Sequence, residues 1–222
     1  MSDEKLINNY EDVTVYGLDP EREEQLIAEQ NECTFGWVTK DGSPMAAIMS
    51  YFRTEDGTFW MTASGQRKRI PAIRRDARVV VTVTSTGTSM RPGKTVTYKG
   101  IATVHDDEET KQWFYPRLAE RLYSQRSPER VVEFAKMLDS PRRVVVSIVP
   151  VLRVGYDGDK MGEATRKARE AGVIFQHDCG RDPARPALGS ECRIRGSGRV
   201  RTDTGRSPRR SRTPARPVCA PG

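Results

Sequence analysis

Cysteine, histidine and long apolar stretches are all scarce in this sequence of 222 residues. It contains four cysteines and two histidines, and three of the cysteines fall within the last 47 residues. Their wide spacing gives no recognisable disulfide framework or zinc signature, so we predict no metal site. No apolar run approaches the length that spans a membrane, and the start MSDEKLINNYED lacks the basic and apolar regions of a signal peptide. We therefore expect a cytoplasmic protein.

Net charge is absent from most of the chain and concentrated at one end. Residues 176–222 contain 11 Arg against three Asp and one Glu, together with six of the 14 prolines, and they lack Lys, Met, Phe, Tyr and Trp. The formal net charge of +7 therefore belongs to this segment, and the rest of the chain carries a net charge of zero. A segment of this composition cannot bury enough apolar surface to form a core.

We predict that residues 161–222 form a disordered Arg/Pro-rich tail, and two origins stay open for it. The amino acids used after about residue 173 have GC-rich codons, so an out-of-frame segment is one alternative and a genuine basic tail is the other. A basic tail can bind nucleic acid or another polyanion. No aromatic residue is interleaved for base stacking, so nucleic-acid binding ranks last among the functions considered.

Hydrophobic patterning predicts five strands before residue 106. A helix from Pro20 to about Gln30 precedes them, with Asp19 as its N-cap. The dipeptide Asp41-Gly42 predicts a hairpin between the first two strands. A short helix over residues 72–76 separates the third strand from the fourth. The predicted strands cover residues 34–39, 45–53, 59–62, 78–84 and 95–105.

The second half of the pattern completes a barrel. Residues 106–138 change to helical spacing, which predicts two helices joined near Ser127-Pro128. Residues 143–149 return to a β-rich run, and Pro150 is expected to end it before a short segment at 152–156. The order of elements predicts a mainly β protein with helices (α+β), built on a six-stranded antiparallel barrel.

The segment TFWMTASGQRKRIPAIRRDARVVVTV carries the clearest functional signal. A turn at Ser64-Gly65 ends a strand, and three cations, Arg67, Lys68 and Arg69, follow it immediately before the short helix. Guanidinium groups bind phosphate bidentately, Lys binds it as a point charge, and N–H groups at a helix start point the same way. The alternative is a solvated basic turn between two strands.

These motifs, in this order, resemble the pyridoxamine 5′-phosphate oxidase-like split barrel, a family of flavin and deazaflavin oxidoreductases. The resemblance is carried by the DG hairpin, FWMTASGQRKR, RRDARVVVTV and TYKGIATVHDD, and it covers about residues 20–157. It implies a split β-barrel of the FMN-binding type over residues 18–160, after a polar lead-in of residues 1–17. It also implies a homodimer with the cofactor cleft between the subunits.

The same resemblance implies which residues hold the cofactor. Thr62, Arg67 and Lys68 would bind its phosphate or phosphodiester, and Gln66 and Arg69 flank them. The ring would lie along the second strand, on a floor that Met61 and Ala63 continue, and Thr95 would reach it from the neighbouring subunit. The second-strand positions are Ala46, Ala47, Ile48, Met49, Ser50 and Tyr51. Ordinary barrel packing is the alternative for about half of the large side chains on these strands.

Two absent cations bear on the choice of cofactor. Relatives that use pyridoxamine phosphate carry an Arg at the position of Ala46 and a Lys at that of Tyr51. The resemblance therefore favours the branch that uses the deazaflavin coenzyme F-420, passing a hydride to a small electron-poor organic acceptor. Two alternatives stay open: an FMN-dependent oxidoreductase of the same fold, and a non-catalytic protein that binds a flavin, a deazaflavin or haem. No catalytic residue is predicted, because the reactive atom belongs to the cofactor.

Overall fold

A computed structural model describes residues 13–172, which form an antiparallel sheet flanked by helices. A short 3-10 helix, Val13–Val15, precedes the other elements. The helices are α1 (Pro20–Glu29), α2 (Arg69–Arg75), α3 (Glu108–Tyr123), α4 (Pro128–Leu138) and α5 (Gly158–Glu170). The strands are β1 (Glu32–Val38), β2 (Pro44–Ser50), β3 (Phe52–Arg53), β4 (Phe59–Ser64), β5 (Arg78–Thr84), β6 (Lys94–His105) and β7 (Arg143–Asp157).

The sheet curls until its two ends approach each other. Its strand order is β2-β1-β5-β6-β7-β4-β3, with every neighbouring pair antiparallel. Residues of β2, at one end, lie close to residues of β4, near the other end. A seam therefore remains between β2 and β4, where the barrel comes together without a continuous ladder of hydrogen bonds. The prediction of a split antiparallel barrel with helices is confirmed.

The strands differ from the six predicted at two places, and only the first of these changes their number. The predicted strand over 45–53 divides at Tyr51, whose backbone N–H donates to the Asn31 carbonyl at 3.3 Å, and the chain continues as β3 paired with β4. The predicted strand at 143–149 and the short segment at 152–156 instead form one long strand, β7. A bulge at Lys99/Gly100 of β6 shifts the register opposite Pro150, so β7 continues past the proline. The described residues thus contain seven strands.

Alternate side chains of the strands point into the barrel and form its core. The strand β4 shows strict alternation, with Phe59, Met61 and Ala63 buried. Tyr51 and Phe35 are also fully buried, and Tyr51 packs against Phe59 with ring centroids 5.5 Å apart. A second apolar cluster lies under α3 and α4, formed by Phe114, Tyr115, Leu118, Leu138 and Val145. This second cluster fixes the helical pair against β7 beside the seam.

The C-terminal helix corrects the predicted start of the tail. Residues 161–170, which we assigned to a disordered segment, belong to α5. Its Ala164 and Ala168 are buried, and the Asp157 carboxylate accepts a hydrogen bond from the Asp159 backbone N–H at 3.0 Å at its start. Two small residues four positions apart suffice to pack this helix, although its composition is mostly charged. The predictions for the lead-in before residue 13 and for the tail after residue 172 lie outside the described residues.

The described helices include none that is both long and apolar enough to cross a membrane.

Candidate functional site

The basic turn after β4 is held by a close backbone contact. The Gly65 N–H donates to the Arg142 carbonyl at 2.7 Å, and a Cβ at position 65 would lie only 3.1 Å from that oxygen. The Arg67 N–H donates to the Ser64 carbonyl at 2.9 Å, which tightens the turn. The helix α2 begins at Arg69. The small residue at 65 therefore lets the turn approach the start of β7, and the cations that follow are presented beside the seam.

A cavity of about 270 Å³ lies at the seam between β2 and β4. We call it the seam cavity. Its barrel side is formed by β2, β4, the basic turn and Arg143 at the start of β7, and α3 and α4 form the apolar wall opposite. The lining residues are Ile48, Met49, Ser50, Thr62, Ala63, Ser64, Arg67, Arg69, Leu118, Leu122, Phe134, Leu138 and Arg143.

Three arginines, Arg67, Arg69 and Arg143, line the seam cavity, and no carboxylate is among its lining residues. Within residues 14–172, none of the three side chains has an ion pair or donates a hydrogen bond, and the buried Nε atoms of Arg69 and Arg143 lack partners. Burial lowers the pKa of Arg69, and the positive charge of Arg67 lowers it further. Unneutralised cations in a partly dry cavity provide a binding site for an anion.

A second cavity, of about 620 Å³, opens on the outer face of the sheet, and we call it the outer cavity. Its walls are almost entirely apolar, and Arg78 and Lys99 are its charged residues. Arg69 connects the two cavities, because its guanidinium lies 5.7 Å from the ring centroid of Trp37, which lines the outer cavity. The outer cavity is lined by Gly36, Trp37, Val38, Pro44, Met45, Ala46, Arg78, Val79, Val80, Lys99, Gly100, Ile101 and Val151.

The structure brings half of the sequence-predicted site residues together at the seam cavity. These are Ile48, Met49, Ser50, Thr62, Ala63, Arg67 and Arg69. Ala46 lines the outer cavity instead, and Ala47 is half-buried opposite Phe35 in the β1–β2 ladder.

The other predicted residues lie apart from both cavities. Tyr51 and Met61 are completely buried in the barrel core. Gln66 and Lys68 are exposed beside the seam. Thr95 pairs with Tyr156 in the β6–β7 ladder, where any contact with a cofactor would have to come through a second subunit, as the resemblance implies.

The hydroxyl of Thr62 has a partner that restricts its role. Its Oγ1 donates to the Val144 carbonyl at 2.7 Å, across the β4–β7 ladder. Since a hydroxyl has one proton, Thr62 in this arrangement can accept a further hydrogen bond but cannot donate one to a phosphate oxygen. The hydrogen bonds to an anion at the seam would therefore be donated by the arginines.

Sequence reasoning missed Arg143 and the apolar wall. Arg143 stands directly before the run VVVSIV, and β7 pairs with β4, so its side chain reaches the same cavity as the basic turn. The available signal was a cation at the first position of a strand. That strand, β7, pairs with β4, which directly precedes the basic turn. The wall residues Leu118, Leu122, Phe134 and Leu138 had been assigned only to helix packing, because periodicity does not tell which helix face borders a cavity.

Comparison with known proteins gives the family of the chain. The family model of pyridoxamine 5′-phosphate oxidase matches residues 19–152. A conserved hypothetical protein of Mycobacterium tuberculosis, Rv2991, shares 19% identity with a TM-score of 0.53, over 74% of this chain and 94% of that one. An F420 reductase is similar at 17% identity with a TM-score of 0.44, over 59% and 94% of the two chains. No curated protein matches the chain.

Proposed function

The chain belongs to the pyridoxamine 5′-phosphate oxidase family, and from that premise we propose that it is an oxidoreductase using the deazaflavin coenzyme F-420. Members of this family commonly are flavin-dependent oxidoreductases that act on small molecules as dimers. The proposed reaction transfers a hydride between the deazaflavin and a small electron-poor organic acceptor. The single observation that carries the proposal is the group of unpaired guanidiniums at the seam, next to an apolar cavity.

The two cavities suit the two ends of a flavin-type cofactor. Such a molecule has a flat, largely apolar ring and an anionic phosphate or phosphodiester. The seam cavity, at about 270 Å³, is small for a whole ligand, but its arginines suit the anionic end. The outer cavity, at about 620 Å³, has the volume and the apolar walls that a ring needs. Arg69 borders both compartments through its contact with Trp37.

The surroundings of positions 46 and 51 support the deazaflavin over FMN. Tyr51 is fully buried among core side chains, with its hydroxyl 3.5 Å from the Ile27 carbonyl oxygen. Ala46 lies beside apolar residues of the outer cavity. Neither position supplies a cation to a phosphate, in contrast to relatives that use pyridoxamine phosphate. FMN nevertheless carries a phosphate that could meet the same arginines, so it is the competing cofactor in the experiment below.

The residues of this chain would position the cofactor rather than take part in proton transfer. The bound deazaflavin would supply the hydride-carrying carbon. Within residues 13–172, β2 pairs only with β1, so N–H and C=O groups on its other edge can meet the polar edge of a ring. Leu118, Phe134 and Leu138 would exclude water around the anionic end in the seam cavity. The titratable residues that line either cavity are arginines and Lys99, which agrees with chemistry that needs no dedicated acid or base.

The outer face of the sheet supports a homodimer that completes the cleft. Large apolar side chains of β7 are unusually exposed, among them Val151 at 65%, Val154 at 57% and Val149 at 55%. A contiguous apolar surface around an open cavity is typical of an interface between proteins. We propose that a second copy of the chain covers this face and closes the outer cavity. The predicted role of Thr95, acting across the subunit boundary, belongs to this part of the proposal.

The test is a titration of the full chain with coenzyme F-420 and, separately, with FMN, following each cofactor's fluorescence. Tight binding of F-420, followed by oxidation of the reduced coenzyme with a conjugated enone or quinone, is the expected result. Binding of FMN alone would replace the deazaflavin with the competing cofactor. Binding without turnover of any acceptor would favour a non-catalytic carrier, and binding of neither cofactor would overturn the proposal.

Sedimentation of the same protein measures the dimer. Val151→Glu should convert a dimer to a monomer and weaken cofactor binding, because a charge cannot be buried in an apolar interface without a partner. Val132→Glu is the matched control, since Val132 is 54% exposed but lies on α4. A wild-type monomer that binds the cofactor tightly would contradict the shared cleft.

A further inference from the structure

We propose that Arg143 is an anion-binding residue of the seam cavity that replaces the cations missing at positions 46 and 51. Only the identity of the anion, a cofactor phosphate, rests on the proposed function above.

The backbone holds Arg143 at a fixed place beside the basic turn. It is the first residue of β7, where it pairs with Ser64 in the β4–β7 ladder, and its N–H donates to the Ser140 carbonyl at 2.9 Å. The side chain lines the same cavity as Arg67 and Arg69. The three cations come from three separate parts of the chain, namely the turn, α2 and β7. An anion between them would be contacted from several directions.

The charge of Arg143 has no structural use that the described residues reveal. Its guanidinium makes neither an ion pair nor a hydrogen bond within residues 14–172, and its Nε is buried without a partner. Two like charges face the same small cavity. An unpaired, partly desolvated cation beside other cations destabilises the folded state unless a ligand neutralises it. Residues of this kind are typical of binding sites, where stability is lost in exchange for affinity.

Two other arginines, Arg121 and Arg142, serve as comparisons for Arg143. Arg121 also has a buried Nε without a partner, but its NH2 donates to the Ile27 carbonyl at 2.7 Å and to the Gln30 carbonyl at 3.1 Å, which caps the end of α1. Arg142, adjacent to Arg143, is exposed and lines neither cavity. Arg143 therefore differs from the first in lacking any acceptor and from the second in facing the cavity.

Ligands with and without a phosphate separate this role from a general effect on the fold, and FMN and riboflavin are the pair that differs in the phosphate alone. The full chain and its variants Arg143→Ala, Arg143→Lys and Arg142→Ala are titrated with FMN and riboflavin, and with F-420 and its phosphate-free chromophore. Arg143→Ala should weaken binding of the phosphate-bearing ligands by about 10- to 100-fold, the range for a lost charge-assisted hydrogen bond, and leave the phosphate-free ligands within about twofold. Arg143→Lys should retain part of the affinity, because a Lys keeps the charge but not the bidentate geometry.

The stability of the ligand-free protein provides an independent measurement. If Arg143 serves an anion, Arg143→Ala should leave the melting temperature unchanged or raise it, and Arg142→Ala should match the wild type in every titration. Equal weakening of phosphate-bearing and phosphate-free ligands, or a lower melting temperature of Arg143→Ala, would show a structural role and overturn the proposal. Wild-type affinity of Arg143→Ala for the phosphate-bearing ligands would overturn it as well.

Inorganic pyrophosphate separates this inference from the proposed function. If the wild type binds no flavin or deazaflavin, the proposed function fails. Pyrophosphate that binds the wild type and loses at least about tenfold in affinity with Arg143→Ala would still support the anion site. Pyrophosphate that binds wild type and variant equally, or binds neither, would overturn the inference in that case.

Discussion

Two groups of charged residues at different places on the barrel use the same side-chain types in opposite ways. At the seam, Arg67, Arg69 and Arg143 converge with no carboxylate lining the cavity. Where α5 joins the barrel, Arg22 and Lys94 meet Asp157 and Asp159, and we call these four residues the α5 clamp. The first group concentrates positive charge, whereas the second balances two cations with two carboxylates.

The α5 clamp shows how completely this chain pairs charges that serve the fold. Arg22 contacts Asp157 at 2.5 Å and Asp159 at 3.1 Å, and the Lys94 Nζ lies 2.8 Å from Asp159. The same Nζ also donates to the Arg91 carbonyl at 3.0 Å. Lys94 and Asp157 are fully buried, which is tolerable because each has charged and hydrogen-bonding partners.

The contrast teaches how to tell a structural charge from a functional one in this molecule. Charged side chains that hold elements together have an oppositely charged partner within a few ångströms. The seam arginines have no such partner among residues 14–172. The presence of an Arg or Lys side chain does not separate the two cases, since both groups contain basic residues. The difference appears only when the partners of each guanidinium are followed in three dimensions.

The largest effect is expected from breaking the α5 clamp with Asp157→Ala. Removing this carboxylate leaves Arg22 with one partner fewer and removes the acceptor for the Asp159 N–H at the start of α5. Loss of a hydrogen bond to a charged group costs about 1.5–3 kcal/mol, and loss of the acceptor at the helix start costs about 1 kcal/mol more. Chemical denaturation of the full chain should show a decrease of that size in the free energy of unfolding.

An exposed ion pair on the same helix gives the control. Arg166 and Glu170 are both more than half exposed and lie 2.9 Å apart on α5. Glu170→Ala should change the free energy of unfolding by about 0.5 kcal/mol or less. If Asp157→Ala destabilises no more than Glu170→Ala, the clamp is not what fastens α5 to the barrel.

A smaller effect on the free energy of unfolding, and not a destabilising one, is expected at the seam from Arg67→Ala. The substitution removes a cation that has no partner in the described residues, so the unfolding free energy should stay constant or rise by up to about 1 kcal/mol. Affinity for a phosphate-bearing cofactor should fall by about tenfold or more. Equilibrium unfolding and cofactor titration on the same samples measure both quantities.

A second arginine on the same stretch tests whether position matters. Arg74 lies on α2, but it pairs with Asp106 at 3.1 Å and lines neither cavity, so Arg74→Ala should leave cofactor affinity unchanged. Lys68→Ala should weaken binding less than Arg67→Ala, because Arg67 lines the seam cavity whereas Lys68 lines neither cavity. Equal losses from Arg67→Ala and Arg74→Ala would mean that the general basicity of the segment, and not the cavity, attracts the cofactor.

The fold could be predicted because its signals are local. The Asp41-Gly42 turn requires a positive φ, and Gly42 adopts +85° in the hairpin between β1 and β2. Strand β5 and the two helices after β6 follow from β-branched runs and apolar periodicity. The division at Tyr51 and the continuation past Pro150 could not be predicted, since both depend on which strand comes to lie alongside. The helix α5 was missed because its buried residues are two small alanines in a mostly charged sequence.

The site was predictable only where it lies on consecutive residues. The turn containing Arg67 and Arg69 is a sequence motif, so it could be recognised before the fold was known. Arg143 is 74 residues beyond Arg69, and only the pairing of β7 with β4 brings it to the seam. Tyr51 and Met61 are buried because their side chains point towards the core. When both faces of a short strand are apolar, the sequence does not indicate which face points inward.

The smallest effect, and the sharpest test of the comparison, concerns pH. The hydrogen bond from Lys94, followed by that from Arg22, lowers the pKa of Asp159 below its usual 3.8. A carboxyl group whose pKa is lower in the folded state contributes stability above its unfolded pKa, and this contribution is lost as the pH falls through the folded pKa. The stability difference between the wild type and Asp159→Asn should therefore be largest near neutral pH and shrink below about pH 4. The corresponding difference for Arg67→Ala should stay constant over the same range, because no carboxylate lines the seam cavity. Urea denaturation between about pH 3 and pH 7 gives both curves, and an Asp159→Asn difference that does not change with pH would show that the clamp's balanced charges do not stabilise the fold.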